Sequence, residues 1–530
     1  MVNNIPQAND DSLTKNYIFL LEKGYITANQ TSLNTDDSTN LGPKFNYFIP
    51  RNIEQEQKTQ NIYPIENWKK FQNQSIKTHL DQGYPFTSLK ITQTKPQNDT
   101  LIIDFKIHKG EHMTIDTMLI EGNFEIEPYF LYKYLDFNPG DYYNYSIHQS
   151  AYKKIQRLPF AEWHSPPEVL FTIGQNEWKL PINKKRVNTI DGIIGLQSSE
   201  ETKSGIQITA DVQLHLWNLL GMAEELELNY KNLETQSPQL YIAANLPYLA
   251  GLDFGPEVSF DLNIKDSSYQ KHTLIVGARY YLSYLNYIRI GYISEQSNII
   301  TPNLQNFANL NNLPEINNFK NRGIIVGTKI QLTNDYWVPT KGWDIETDIQ
   351  FLKKNITAHQ SYLEEADKLG IPLREWYKEA EKEKYFWTGL LTLKKYSPIF
   401  KNAFLFNKIK VAHKQTTNTS LNELYRIGGQ QTLRGFDDLR FYAKSYGIFT
   451  IEPRMLINQR SFIFLFSDLG WLKERRTLAF KDTFAWGIGA GLSLFTTSGL
   501  FNVAFGVGKE FPNRFDFKRP QVHIGYKAIF

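Results

Sequence analysis

Beyond residue 185 the chain alternates apolar and polar residues with a period of two, whereas before it helical and extended spacings are mixed. The alternation is clearest where Trp343, Ile345, Thr347, Ile349 and Phe351 oppose Asp344, Glu346, Asp348 and Gln350. It recurs where Val258, Phe260, Leu262 and Ile264 oppose Glu257, Ser259, Asp261 and Asn263. Successive strand residues point to opposite faces, so each run presents one apolar and one polar surface. Sixteen strands are expected, at 188–197, 205–216, 222–231, 238–247, 256–265, 271–282, 286–294, 322–332, 342–353, 385–396, 402–413, 446–456, 460–468, 484–495, 500–509 and 520–530. An even number of strands of about ten residues suits a tilted strand crossing a bilayer and a sheet that closes without edges. A soluble β-sandwich also alternates, but it does not readily bury sixteen long strands carrying charge on one face.

The connections support the same reading. If the first strand runs outward, the connections after strands 7, 9, 11 and 13 are long, at 295–321, 354–384, 414–445 and 469–483. Those after strands 2, 6, 8, 10 and 12 are short: WNLLGM, SYLN, NDYWVPTKG, YSPIFK and INQR. Outer-membrane barrels divide long external loops from short periplasmic turns in this way. Loop 354–384 carries EEADKLG and REWYKEAEKEK, charged and helically spaced; a solvated loop helix is expected there in preference to a lid.

Upstream, Ile65, Trp68, Phe71, Ile76 and Leu80 recur at helical spacing up to the break Gly83-Tyr84-Pro85. Strands follow at 87–95 and 100–108, joined by Pro96-Gln97-Asn98-Asp99. A second copy of the order runs through a strand at 112–120, helices at 127–135 and 146–157, and strands at 168–173 and 177–183. LLEKGYITANQ echoes HLDQGYPFTSL, marking a partial third copy within 13–60, although the polar run 28–42 reads as flexible. The expected organisation is a flexible or partial module at 1–60, modules at 61–110 and 111–185, and a barrel at 186–530.

Composition narrows the chemistry. The 530 residues are 41% apolar and 14% aromatic with a formal charge of +3, and no basic stripe dense enough for nucleic acid appears. Mean hydropathy is −0.43, and no apolar run reaches the roughly 18 residues of a membrane helix; barrel strands escape that test because they average two faces. With no cysteine, disulfides, thiolate metal sites and a cysteine nucleophile are excluded. The start MVNNIPQANDDS shows no charged region followed by an apolar one, so no secretory signal is readable in it. Gly487-Ile488-Gly489-Ala490-Gly491 sits in a strand with no helix after it, and reads as small lumen residues rather than a nucleotide loop. Neither HExxH nor G-x-S-x-G occurs; no enzyme, cofactor or metal is expected.

The most informative motif is Leu433-Arg434-Gly435-Phe436 within RIGGQQTLRGFDDLR, in the long loop 414–445. A guanidinium keeps its charge and five fixed donors, so inside a barrel it needs carboxylates. Glu452 and Asp468 are the candidates, and Arg454 shares a face with Glu452. At the C-terminus Val522, Ile524, Tyr526, Ala528 and Phe530 share one face, with Gly525 in the strand interior.

These features together resemble the BamA/TamA-like outer-membrane assembly (bacterial surface antigen) superfamily. Its sixth extracellular loop carries a hydrophobic-Arg-Gly-Phe motif, and its acidic positions on strands twelve and thirteen correspond to Glu452 and Asp468. Asn218-Leu219-Leu220-Gly221 and Val338-Pro339-Thr340-Lys341-Gly342 resemble that family's N-L-F-G and P-T-R-G turns, and the last strand, with Gly525, Tyr526 and Phe530, resembles its assembly signal. Ala528 departs from that signal, where a larger apolar residue is commoner. The resemblance implies α+β N-terminal POTRA domains in the periplasm, followed by an all-β, 16-stranded antiparallel transmembrane barrel in the outer membrane of a Gram-negative bacterium. It implies an insertase that assembles client barrel proteins by β-augmentation at a seam near Thr189 to Gln197, without nucleotide hydrolysis. The expected partners are client outer-membrane or secreted polypeptides, accessory periplasmic or lipoprotein subunits and the lipid bilayer, with no nucleic acid. Two alternatives stay open: a two-partner-secretion transporter, for whose usual plug helix residues 1–12 are too polar, and a structural subunit of a larger complex. A passive porin would not need POTRA modules.

Overall fold

The computed structural model describes residues 17–20, 46–54, 61–198, 206–232, 237–305, 307–309, 311–382, 384–416, 419–476, 479–496, 499–515, 517 and 520–529. Its contacts divide into two units, Met1–Glu125 with Leu131–Lys185 and Ile126–Phe130 with Arg186–Phe530.

The first unit holds two sheets. One runs in the order Tyr63–Pro64, Tyr47–Asn52, Thr100–His108, Ser88–Gln97, with the middle two strands parallel. The helix Trp68–Leu80 buries Ile76 and Leu80, and its Trp68 and Phe71 rings pack at 5.1 and 5.7 Å from the fully buried Phe48. The sheet thus recruits Tyr47–Asn52, ahead of the boundary expected at residue 61, because Phe48 supplies the apolar face the helix covers. The other sheet orders Tyr17–Leu20, Glu168–Phe171, Asn176–Lys184 and Thr117–Glu121, with Ala161–Trp163 also on Asn176–Lys184. Helices Pro128–Leu135 and Tyr145–Gln156 belong to this segment, and Asn144 caps the second by accepting from the Ile147 amide at 3.0 Å. Most of the proposed partial module at 13–60, like the residues at the start of the chain, lies outside the described residues.

The second unit is a closed antiparallel barrel of sixteen spanning strands. They are β1 Thr189–Ser198, β2 Ile206–Trp217, β3 Glu225–Asn232, β4 Gln239–Asn245, β5 Phe254–Lys265, β6 Tyr269–Ser283, β7 Asn286–Ile299 and β8 Asn318–Thr333. They continue as β9 Gly342–Thr357, β10 Tyr385–Phe400, β11 Ala403–Gln415, β12 Phe441–Leu456, β13 Phe462–Arg475, β14 Phe480–Thr496, β15 Gly499–Glu510 and β16 Gln521–Ile529. The alternation does what the sequence implied. Ile349 and Phe351 stand 44% and 53% exposed on the outer wall, while Asp344 and Asp348 reach cations inside. Closure satisfies nearly all of the backbone within the sheet, which hydrocarbon requires, and leaves an edge only where β1 and β16 meet through a short ladder.

Two connections differ from expectation. The loop expected at 469–483 shrinks to residues 476–479, because β13 and β14 stay paired from Leu469–Trp486 to Arg475–Phe480. Lys473-Glu474-Arg475 is polar but remains in the strand, and the alternation of Leu469, Trp471 and Lys473 continues past the apolar belt. Loop 354–384 was expected to be a solvated helix. It forms two, Gln360–Leu369 and Leu373–Ala380, which bury Tyr362, Ala366, Leu373, Tyr377 and Ala380 against Ile299, Phe307 and Ile356. The buried positions recur at i+3 and i+4, an apolar stripe hidden by the surrounding charges. The Tyr377 hydroxyl donates to Asn317 Oδ1 at 2.5 Å, and Lys354 meets Glu423 at 2.6 Å with both side chains buried. The helices therefore form a packed cap on the long-loop ends of β7 and β9.

Candidate loop anchor and barrel seam

The loop between β11 and β12 turns back along the inside of the barrel. Tyr425–Ile427 pairs antiparallel with Phe441–Ala443 at the start of β12, so the residues between them form a closed excursion. Leu433 and Phe436 are buried in a cluster with Phe441, Tyr446, Ile448, Leu472 and Ala485. That packing fixes Arg434 between them.

Arg434 is fully engaged. Its Nε and Nη2 donate to the two oxygens of Asp468, each at 2.8 Å, a fork-to-fork geometry that only a planar guanidinium offers. Nη1 donates to Glu452 at 2.8 Å, and the Arg434 backbone amide donates to Asp468 at 3.1 Å. The guanidinium lies 3.8 Å from the centre of the Phe466 ring. Arg454 closes the network by donating to the other Glu452 oxygen at 2.7 Å, and it rests 4.3 Å over Phe406 and 4.7 Å over Phe462. Two arginines thus balance two carboxylates that are 3% and 1% exposed. Paired so completely, the buried charges are tolerated; losing one would strand the rest.

The loop backbone sits against glycine. Gly435 adopts φ of 86°, the left-handed region. Beneath it Gly487 on β14 and Gly508 on β15 are direct register partners. A Cβ on Gly487 would lie 1.9 Å from the Arg434 carbonyl oxygen, and one on Gly508 would lie 2.5 Å from that of Gly435. The strand glycines read from sequence as small lumen residues are therefore the floor on which the motif rests.

The structure brings Leu433, Arg434, Gly435, Phe436, Glu452 and Asp468 together at one place. Sequence reasoning missed Phe466, Gly506 and Gly508. The available signal was a glycine at every second position on two neighbouring strands, Gly487, Gly489 and Gly491 facing Gly508, Gly506 and Ala504.

The second candidate region is the junction of β1 and β16. Among the described residues its ladder comprises only Thr189–Ile529, Ile190–Ala528 and Asp191–Lys527. By contrast β1 pairs with β2 over ten residues, and β15 with β16 over eight. Gly525 pairs with Asn502 on β15, and a Cβ there would meet nothing within 4 Å, so its glycine is not demanded by packing. Tyr526 pairs with Phe501 and is 39% exposed. Phe530 lies outside the described residues. Gly525 and Tyr526 thus sit on the closing strand, beyond the short ladder.

Inside the barrel, toward the short turns, a cavity of about 710 Å³ is lined by Arg279, Arg289 and Lys329, by Glu225, Asp344 and Asp348, and by tyrosines. Arg279 meets Glu257 at 2.6 Å and Arg289 meets Asp348 at 2.6 Å, a wet lumen wall of matched charge. Among the described residues no cluster of His, Asp and Glu is placed to hold a metal ion.

A model of the Omp85 superfamily domain matches residues 218–526. No curated protein matches the sequence. Among solved structures, the chain is similar to BamA from Haemophilus ducreyi lacking POTRA domains 1–3, at 14% identity and a TM-score of 0.51, covering 90% of this chain and 96% of that one. It is similar to CdiB from Acinetobacter baumannii at 12% identity and a TM-score of 0.52, covering 89% and 83%. CdiB from Escherichia coli gives 14% and 0.50, covering 94% and 93%. These likenesses establish a shared fold, and the domain match spans more than half of the sequence, from the first short turn to the closing strand: this chain belongs to the Omp85 superfamily of outer-membrane β-barrels.

Proposed function

We propose that the protein is an outer-membrane insertase that assembles client β-barrel proteins by β-augmentation at the β1–β16 seam. The observation that carries this reading is the three-residue ladder closing an otherwise fully paired barrel. Most of β1 along Ile193 to Ser198 is paired on the β2 side only, so its other edge offers backbone donors and acceptors. A client strand in transit needs such partners, because hydrocarbon supplies none. The two sheets of the N-terminal unit would act as periplasmic POTRA modules, receiving clients or accessory subunits along their edge strands. No bond-making chemistry is involved; client folding supplies the free energy, and no nucleotide, metal or cofactor takes part.

The alternative is export of one polypeptide through the lumen. The cavity of about 710 Å³ favours it at one end. At the other, the helical cap and the buried Lys354–Glu423 pair would have to move first. The test is insertion of an unfolded barrel client into liposomes carrying the purified full chain, without nucleotide. Insertion faster than into empty liposomes is expected; equal rates would remove the insertase reading.

A further inference from the structure

The outer wall of the barrel carries a second feature, unrelated to seam or loop. On strands β8 to β12, at the long-loop end, the lipid-facing surface forms a concavity of about 670 Å³. Its lining includes Arg322, Lys353, Tyr385, Trp387, His413 and Lys444, and no carboxylate among the described residues.

The arrangement is repulsive as it stands. Arg322 and Lys353 are exposed and direct register partners, placing like charges opposite each other across one ladder. Such pairs destabilise a sheet unless something neutralises them. Lys353 in turn faces Tyr385 on β10, which is 74% exposed. The Trp387 and His413 rings lie 5.3 Å apart, and His413 accepts or donates at Nδ1 to Ser445 Oγ at 2.8 Å. Lys444 donates to the Thr416 carbonyl oxygen and lies 5.7 Å from the centre of the Phe480 ring. Below this row Ile324, Phe351 and Trp387 continue down the wall, all exposed. The basic row ends at β13, where Lys473 stands opposite Asp482.

The neighbouring wall provides an internal control. At the same level β6 and β7 present Gln270 and His272 opposite Asn298 and Gln296, with no arginine, lysine or carboxylate on the outward face. A generic aromatic girdle would not confine lysine and arginine to one sector of the wall.

We propose that this concavity binds the multiply phosphorylated headgroup of an outer-leaflet lipid. Arg322, Lys353 and Lys444 would hold the phosphates, Tyr385 and Trp387 the interfacial part, and the Ile324–Phe351 wall the acyl chains. Basic side chains clustered where a membrane protein meets the headgroup layer recognise anionic lipids through short charge-assisted hydrogen bonds. The inference holds for an insertase and a transporter alike.

The test uses the full-length protein in phosphatidylcholine nanodiscs doped with bisphosphorylated lipid A, with retained lipid counted by native mass spectrometry. Wild type and the control His272→Gln should retain lipid A. Arg322→Gln combined with Lys353→Gln should retain roughly tenfold less, and Arg322→Lys should hold an intermediate amount. All variants are compared after heat-modifiable mobility shows the barrel folded. Equal retention by wild type and double variant would overturn the proposal. So would equal retention of phosphatidylglycerol, or displacement of lipid A by millimolar inorganic phosphate.

Discussion

The loop anchor and the seam lie on the same cylinder, the anchor resting on β14 and β15 and the seam beginning at the next strand, β16, and are built on opposite principles. At the anchor each guanidinium donor of Arg434 that bonds is matched to a buried carboxylate, and the backbone presses on glycines of β14 and β15. At the seam β16 meets β1 through three residues. A barrel needs closure everywhere if its only task is to persist, since an edge strand exposes a row of unpaired groups. Here strength is concentrated where a loop is tethered and withheld where two strands meet. The difference teaches that the weak junction is not the residue of a poorly specified barrel: the wall beside it is among the most constrained parts of the molecule.

Substitutions can break or sharpen that contrast. The largest effect is expected for Arg434→Ala, which leaves Glu452 and Asp468 buried beside each other with Arg454 as their remaining ion-pair partner and no bidentate donor on Asp468. Removing one member of a buried ion pair costs about 3–5 kcal/mol, so the loop should detach and the barrel's thermal transition on a heat-modifiability gel should fall well below that of wild type. Arg434→Lys should recover only part of the loss, because an ammonium cannot span both Asp468 oxygens. An unchanged transition in Arg434→Ala would mean the loop is not tethered through this residue.

Gly487→Ala is expected to cost less, roughly 1–3 kcal/mol, as the loop shifts to relieve a Cβ placed 1.9 Å from the Arg434 carbonyl oxygen. Protease susceptibility of loop 416–440 should rise, whereas Gly525→Ala, with open space around it, should leave both stability and susceptibility unchanged. If both variants behaved alike, the contrast between anchor and seam would lose its steric basis.

The smallest effect lies in the N-terminal unit and separates its stability from the barrel's. His148 is buried against Trp178, with ring centroids 4.1 Å apart, and its Nδ1 bonds the Asn144 carbonyl at 2.6 Å. Burial holds its pKa down to about 4, against the hydrogen bond, which raises it. The unfolded chain takes up the proton from about pH 6.5 downward while the folded ring does not, so stability is full above that pH and declines toward pH 4. Between pH 7 and 5.5 the loss is about 1 kcal/mol. Hydrogen exchange of Asn176–Lys184 in the intact protein should accelerate by a corresponding factor over that range, and His148→Gln should flatten the dependence.

Much of this was legible in the sequence, and what was not has a physical reason. A period of two over ten residues reports a strand and its faces directly, which is why sixteen strands and the division of short turns from long loops could be read before any coordinates. Arg434 and its carboxylates were legible because a buried guanidinium dictates its partners. The floor under the motif was not: Gly487 and Gly508 are twenty-one positions apart and become one surface only through the β14–β15 register. The cap escaped because Tyr362, Ala366 and Tyr377 are diluted among charges, and their apolar stripe matters only once Phe307 faces it. Lys473 to Arg475 looked like loop because polarity marks a turn inside the apolar belt, whereas above it polarity is what a continuing strand shows to water.

The measurement that bears most directly on the central claim is a reversible lock across the seam. The sequence has no cysteine, so Ile190→Cys with Ala528→Cys, a register pair on the short ladder, places the only two thiols of the protein opposite each other. A disulfide there is geometrically allowed between facing strand residues. Insertion of a barrel client into liposomes should fall to the rate of empty liposomes when the pair is oxidised and return on reduction. A locked protein that inserts its client as fast as the reduced one would contradict the account, and would turn attention from the seam to the lumen.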